Sequence, residues 1–139
     1  MSTSDRYLVT GAGGFIGSHL VESLLKRGQK VRAFVRYSSS AQQGWLDDIS
    51  PELKGDLEVF YGDIADARAV MEASRDCSRI FHLAALIGIP YSYIAPQSYV
   101  TVNIQGTLNV LEAARTHKLE RCIVTVSYTH LTLPTSFLV

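Results

Sequence analysis

The sequence predicts an α/β fold built on one doubly wound parallel sheet. Two observations carry that expectation. Short apolar runs alternate with stretches of helical periodicity from residue 7 to residue 125. The first strand also ends in a glycine cluster that opens directly onto a helix. Strands that alternate with crossover helices run parallel and need both faces covered. Right-handed crossovers then favour the strand order 3-2-1-4-5.

The elements follow in order. Tyr7–Thr10 is a short buried strand, β1. Ile16, Leu20, Val21, Leu24 and Leu25 then recur at helical spacing. This helix stops near Lys26-Arg27-Gly28, with basic residues in the last turn and glycine just after. Val31–Val35 forms β2, and the serine-rich stretch Tyr37–Gly44 forms a loop. Trp45 and Leu46 begin a helical turn that Ser50-Pro51 interrupts. Leu57–Phe60 forms β3, and Ala67–Ala73 is a helix with Asp66 as its N-cap. Arg79–Leu83 forms β4, and a loop carrying Gly88, Pro90 and Pro96 follows. Tyr99–His117 is a long helix whose buried positions include Val102, Leu108, Leu111 and Ala114. Cys122–Thr125 completes the sheet as β5. The pattern contains no internal repeat and no second domain.

Composition narrows the class. The chain is 47% apolar and 19% charged, and 13 basic residues balance 13 acidic ones. A nucleic-acid surface needs clustered positive charge, so no nucleic-acid partner is expected. No apolar run reaches the roughly 18 residues of a membrane span. The polar start runs straight into a strand and lacks a signal-peptide core, so the expected location is cytoplasmic. Cys77 and Cys122 lie in neither a redox nor a zinc spacing and are expected to be free thiols. Asp47-Asp48 reads as a solvated pair, and no metal site is expected.

Gly11, Gly13, Gly14 and Gly17, with Phe15 and Ile16 among them, lie between β1 and the first helix. A helix start offers free N–H groups and the positive end of its dipole to an anion such as a dinucleotide pyrophosphate. Glycines let the backbone turn sharply and approach phosphate closely. The spacing is G-x-x-G-x-x-G, and its position between strand and helix makes it a phosphate-binding turn. An NAD site commonly places an acid at the end of β2, whereas Arg36 stands there in this chain. An arginine can pair with a 2′-phosphate, which favours NADP.

Thr10–Gly17 resembles the signature of the extended short-chain dehydrogenase/reductase family. Three later stretches resemble it in register: Gly62-Asp63-Ile64, His82-Leu83-Ala84-Ala85, and the run from Asn103 to Ala114. The resemblance implies a Rossmann domain holding NAD or NADP. It implies that Asp63 accepts from the adenine amino group beside Ile64, and that Leu83, Ala84 and Ala85 lie along the cofactor's riboses. Val31–Arg36, Gly44–Asp47 and Ala84–Tyr93 are similar to 4,6-dehydratases acting on nucleotide-linked N-acetylglucosamine in legionaminic-acid pathways, which are described as NAD-dependent. That subfamily implies a nucleotide-sugar substrate and a redox cycle. Hydride leaves the sugar C4 for the cofactor, water leaves across C5 and C6, and hydride returns at C6. A 4-epimerase and a non-catalytic NAD(P)-binding module are the alternatives. The family further implies a homodimer paired through the long helix, and a substrate contact at Ser92. Tyr91 and Tyr93 are expected to pack on that helix, and His82 to be structural.

One family feature is missing. None of the seven tyrosines is followed four residues on by the lysine that tunes a catalytic tyrosine. The family pattern also stops after Thr125, and Val126–Val139 resembles read-through of joined sequence. The expectation is therefore an incomplete NAD(P)-binding domain over residues 1–125, an N-terminal fragment inactive by itself, with a non-native tail over 126–139. By count, Ser127 alone falls at a catalytic position.

Overall fold

A computed structural model describes residues 5–37 and 43–126. β1 (Arg6–Thr10), β2 (Lys30–Val35), β3 (Leu57–Tyr61), β4 (Cys77–His82) and β5 (Arg121–Val124) form one parallel sheet in the order β3-β2-β1-β4-β5. This is the strand order the alternating pattern predicts. α1 (Phe15–Lys26) and α2 (Ala67–Ala73) connect the early strands. α3 (Ile89–Ile94), α4 (Pro96–Tyr99), a π-helical stretch (Val100–Gln105) and α5 (Gly106–Thr116) lie between β4 and β5.

Strand residues alternate between two apolar layers. Val9, Val31, Ala33 and Val35 join Val21, Leu24 and Leu25 of α1 on one face. Leu8, Phe34 and Ile80 join Val70 and Ala73 of α2, and Val110 and Ala113 of α5, on the other. Burial on both faces is why the strands read as nearly continuous apolar runs.

Helix ends follow local chemistry. Gly28 takes φ +79° after α1, and the N–H groups of Gly28 and Gln29 donate to the carbonyls of Leu25 and Leu24. The Asp66 carboxylate accepts from the N–H groups of Arg68 at 2.9 Å and Ala69 at 3.4 Å. Asp66→Ala is expected to cost about 1 kcal/mol of stability. Urea unfolding reads this directly, and an unchanged midpoint would refute the cap.

Arg32 is a buried charge inside β2. Its Nη1 donates to the carbonyls of Ala73 at 2.7 Å and Arg75 at 2.8 Å, and its Nε donates to Glu58 at 3.1 Å. The guanidinium thus meets the negative C-terminal end of α2, where helix carbonyls lack intrahelical donors. Cys77 lies beside it, and burial pushes that thiol up to about 11. Both cysteines are free.

Three expectations need correction. The stretch after β4 is largely helical rather than loop, because Pro90 and Pro96 sit in the first turns of α3 and α4. A missing N–H costs nothing there, so these prolines start helices. Leu108 and Leu111 are exposed, while Gly106, Asn109, Val110 and Ala113 face inward. The reason is close approach: a Cβ at Gly106 would stand 3.0 Å from Ile64 Cγ2. The inner face therefore begins with a residue that has no side chain, and the leucines turn outward. Tyr93 is 83% exposed and does not pack on the long helix. Among the described residues, no helix is long and apolar enough to cross a membrane.

Candidate functional site

The chain steps from β1 outward to β2 and β3, then returns to place β4 on the other side of β1. Ligands bind such folds at this reversal, outside the carboxyl ends of the strands. A groove of about 1150 Å³ opens there. It runs from the turn after β1, past the ends of β2 and β3, to the segment after β4.

Gly11, Gly14, Phe15, Ile16 and Gly17 line its centre. Gly11 takes φ +65°, and a Cβ there would stand 2.8 Å from the Ala84 backbone nitrogen. A Cβ at Gly17 would stand 2.1 Å from the Gly11 carbonyl oxygen. Both glycines exist so that turn, helix and β4 segment can close on one another. The Gly14 N-cap has no capping side chain, and the first turn of α1 holds no acid. The first intrahelical bond is Ser18 N–H to the Gly14 carbonyl at 2.9 Å. The N–H groups of Phe15, Ile16 and Gly17 are thus left without helical acceptors at the groove, an arrangement whose chemistry suits an anion. Ile16, placed by periodicity on the helix's apolar face, is exposed at this wall. Gly13 lies outside the lining, where its carbonyl accepts from Trp45 N–H at 3.1 Å.

Arg36, Asp63 and Ile64 line one end. Asp63 Oδ1 accepts from Ala65 N–H at 2.9 Å, which fixes the carboxylate in a tight turn. Leu83, Ala84 and Ala85 line the opposite wall, with Tyr91 further along. Ser92 lies outside the lining, and its hydroxyl donates to the Ile89 carbonyl at 2.6 Å. Ser127 lies outside the described residues.

Polar side chains of β1 and of the stretch from α4 to α5 hold both walls, a role that pattern reading missed. Asn109 Nδ2 donates to the Ile64 carbonyl at 3.0 Å. Asn103 accepts from Leu86 N–H at 2.8 Å and donates to the Leu86 carbonyl at 2.9 Å. Tyr99 donates its hydroxyl hydrogen to the Gly88 carbonyl. Thr10 accepts from the N–H groups of Leu83 and Ala84, each at 3.1 Å. A detectable signal was available, since asparagines inside a helix are disfavoured unless their amides have work elsewhere.

His82 is buried at the end of β4, between Thr10 and Thr107. Burial pushes its imidazole down to about 4, and both ring nitrogens face hydroxyls. It does not line the groove.

The family model described as GDP-mannose 4,6 dehydratase matches residues 8–129. The sterol demethylase protein B of Methylococcus capsulatus is 36% identical over 121 residues, covering 87% of this chain and 34% of that protein. The UDP-N-acetyl-alpha-D-glucosaminuronate decarboxylase of Bacillus cytotoxicus is 33% identical, covering 78% of this chain and 32% of its own length. The crystal structure of the Thermus thermophilus UDP-glucose 4-epimerase in complex with NAD matches with a TM-score of 0.66 and 36% identity, covering 84% of this chain and 36% of that one. The chain spans about a third of the length of these relatives. With the sheet order, the glycine turn and the groove at the strand reversal in place, the chain belongs to the GDP-mannose 4,6-dehydratase family of extended short-chain dehydrogenases/reductases.

Proposed function

We propose that residues 1–125 are the NAD(P)-binding part of a nucleotide-sugar 4,6-dehydratase. The observation that carries the cofactor reading is the uncapped start of α1, with three free N–H groups facing the groove across a turn that admits no Cβ at Gly11 or Gly17. Those N–H groups hold the pyrophosphate. Asp63 accepts from the adenine amino group, and Arg36 stands where it can meet a 2′-phosphate or stack on the adenine. The groove continues past Ala85 to Tyr91, which leaves the far end for the nicotinamide and substrate. When bound, the cofactor supplies a hydride acceptor that later returns the hydride, so the cycle has no net oxidation. Two relatives whose names carry UDP-linked sugars support the substrate class, and the matching family model supports the dehydratase reading.

A second copy of the parent protein pairs through the long helix. Val100, Ile104, Leu108 and Leu111 recur along its exposed side, an apolar stripe at helical spacing.

The test starts from the source DNA. Reading its frame past the Thr125 codon and expressing the extended protein with UDP-N-acetylglucosamine and NAD is expected to yield a 4-keto-6-deoxy sugar with no net NADH. A C4-epimerised product instead would make the parent an epimerase, and release of CO2 from a uronate would make it a decarboxylase. A confirmed stop after Val139 would make the chain a nucleotide-binding module.

A further inference from the structure

The bonds around His82 admit only one arrangement of protons. Thr107 donates its only hydroxyl hydrogen to the Asn103 carbonyl at 2.6 Å. Toward His82 its oxygen can therefore only accept, so Nε2, 3.1 Å away, carries the ring proton. Nδ1 is then a lone pair, and Thr10 donates to it at 2.7 Å. That leaves the Thr10 oxygen free to accept from the N–H groups of Leu83 and Ala84, which is where both point. A single neutral imidazole satisfies every group from the groove wall to the helix backbone. A half-satisfied buried network of this kind is costly, so its members hold or fail together. The network also spans the fold, joining the strand end before the glycine turn, the segment after β4, and the π-helical stretch.

We infer that His82 is a positioning residue of the groove: locked as the Nε2–H form between Thr10 and Thr107, it couples the long helix to the Leu83-Ala84 wall. Its consequence for cofactor binding rests on the reading of the groove given above. Removing the Thr107 hydroxyl strands the buried Nε2–H. The ring proton then shifts to Nδ1 and points at the Thr10 oxygen, whose two lone pairs already accept from Leu83 and Ala84, so the ring N–H competes with the two groove amides for it.

The coupling is read on the 139-residue chain with nitrogen-15-labelled histidine and amide hydrogen exchange. The unaltered chain is expected to show His82 with its proton on Nε2 at neutral pH. Thr107→Val is expected to speed exchange at Leu83 and Ala84 roughly tenfold, although Thr107 bonds neither residue. The amides of Ala33 and Phe34 in β2 keep their rates. The dissociation constant for NADH rises by about the same factor, and Thr107→Ser restores both readouts. A proton on Nδ1 in the unaltered chain overturns the inference, and that measurement stands even where Thr107→Val does not fold. So does an exchange rate that rises equally throughout the sheet, which marks a merely structural hydroxyl. Failure of the unaltered chain to bind NADH overturns the cofactor reading instead, while the tautomer and exchange rates still decide the coupling.

Discussion

Gly17→Ala is expected to abolish the groove as a binding site and to destabilise the fold by about 3 kcal/mol, the upper range for overpacking against rigid neighbours. The added methyl would stand 2.1 Å from the Gly11 carbonyl oxygen and 2.9 Å from its carbon. Both are backbone atoms, so no rotamer change relieves the contact. Either α1 tilts away or the turn opens, and both movements displace the N–H groups of Phe15 and Ile16. Gly55→Ala is the control, since nothing lies within 4 Å of a Cβ there. It is expected to change stability by less than about 0.5 kcal/mol. Denaturant unfolding of the two variants side by side decides the matter, and equal small effects would contradict the packing described for the glycine turn.

Acidification is expected to remove about 3 kcal/mol of stability between pH 6.5 and pH 4 through His82 alone. The sign follows from the direction of the shift. Burial lowers the folded-state imidazole to about 4, against 6.5 for the free side chain. Between those values the unfolded chain binds a proton and the folded chain does not. The contribution is therefore fully present above pH 6.5 and is lost as pH falls toward 4. Carboxylates titrate near the lower end, so the comparison with His82→Asn isolates the effect. The variant's stability should vary less with pH across the window. A wild-type profile no steeper than the variant's would show that His82 is not buried as a neutral ring.

Much of this fold was legible because its rules are local. Apolar runs bounded by turn residues located all five strands, and alternation with helices gave their order. Asp66 capped the helix it was assigned to, and Gly28 closed the first one. The failures share a physical cause. Pro90 and Pro96 read as breakers, yet the same residue starts a helix when it occupies the first turn. Leu108 and Leu111 fit an apolar face, but which face turns inward depends on the surface met, and Gly106 against Ile64 decided it. A π-helical stretch just before α5 also breaks a constant 3.6-residue phase.

The groove was legible on its glycine side and only partly elsewhere. Gly11 and Gly17 announced themselves by spacing before a helix. Asn109 and Thr10 did not, because their partners are backbone groups 45 and 74 residues away in sequence. Trp45 was read as the start of a helical turn, which it is, but the contact of Gly44 and Trp45 with the glycine turn was not legible, for the same reason. Gly44 takes φ +64°, and its Cβ would stand 2.3 Å from the Gly13 carbonyl oxygen. Trp45 then meets Phe15 edge-on, with ring centroids 5.8 Å apart, behind the glycine turn.

That contact supplies the most direct test. Trp45 is the only tryptophan in the chain, and it sits against the turn proposed to hold the pyrophosphate. Titrating the folded chain with NADH and NADPH while exciting Trp45 measures energy transfer to the reduced nicotinamide. Saturable sensitised emission from at least one of the two, lost in Gly17→Ala, is the predicted result. A folded chain that shows no transfer with either nucleotide at millimolar concentration would show that the groove does not hold a nicotinamide dinucleotide.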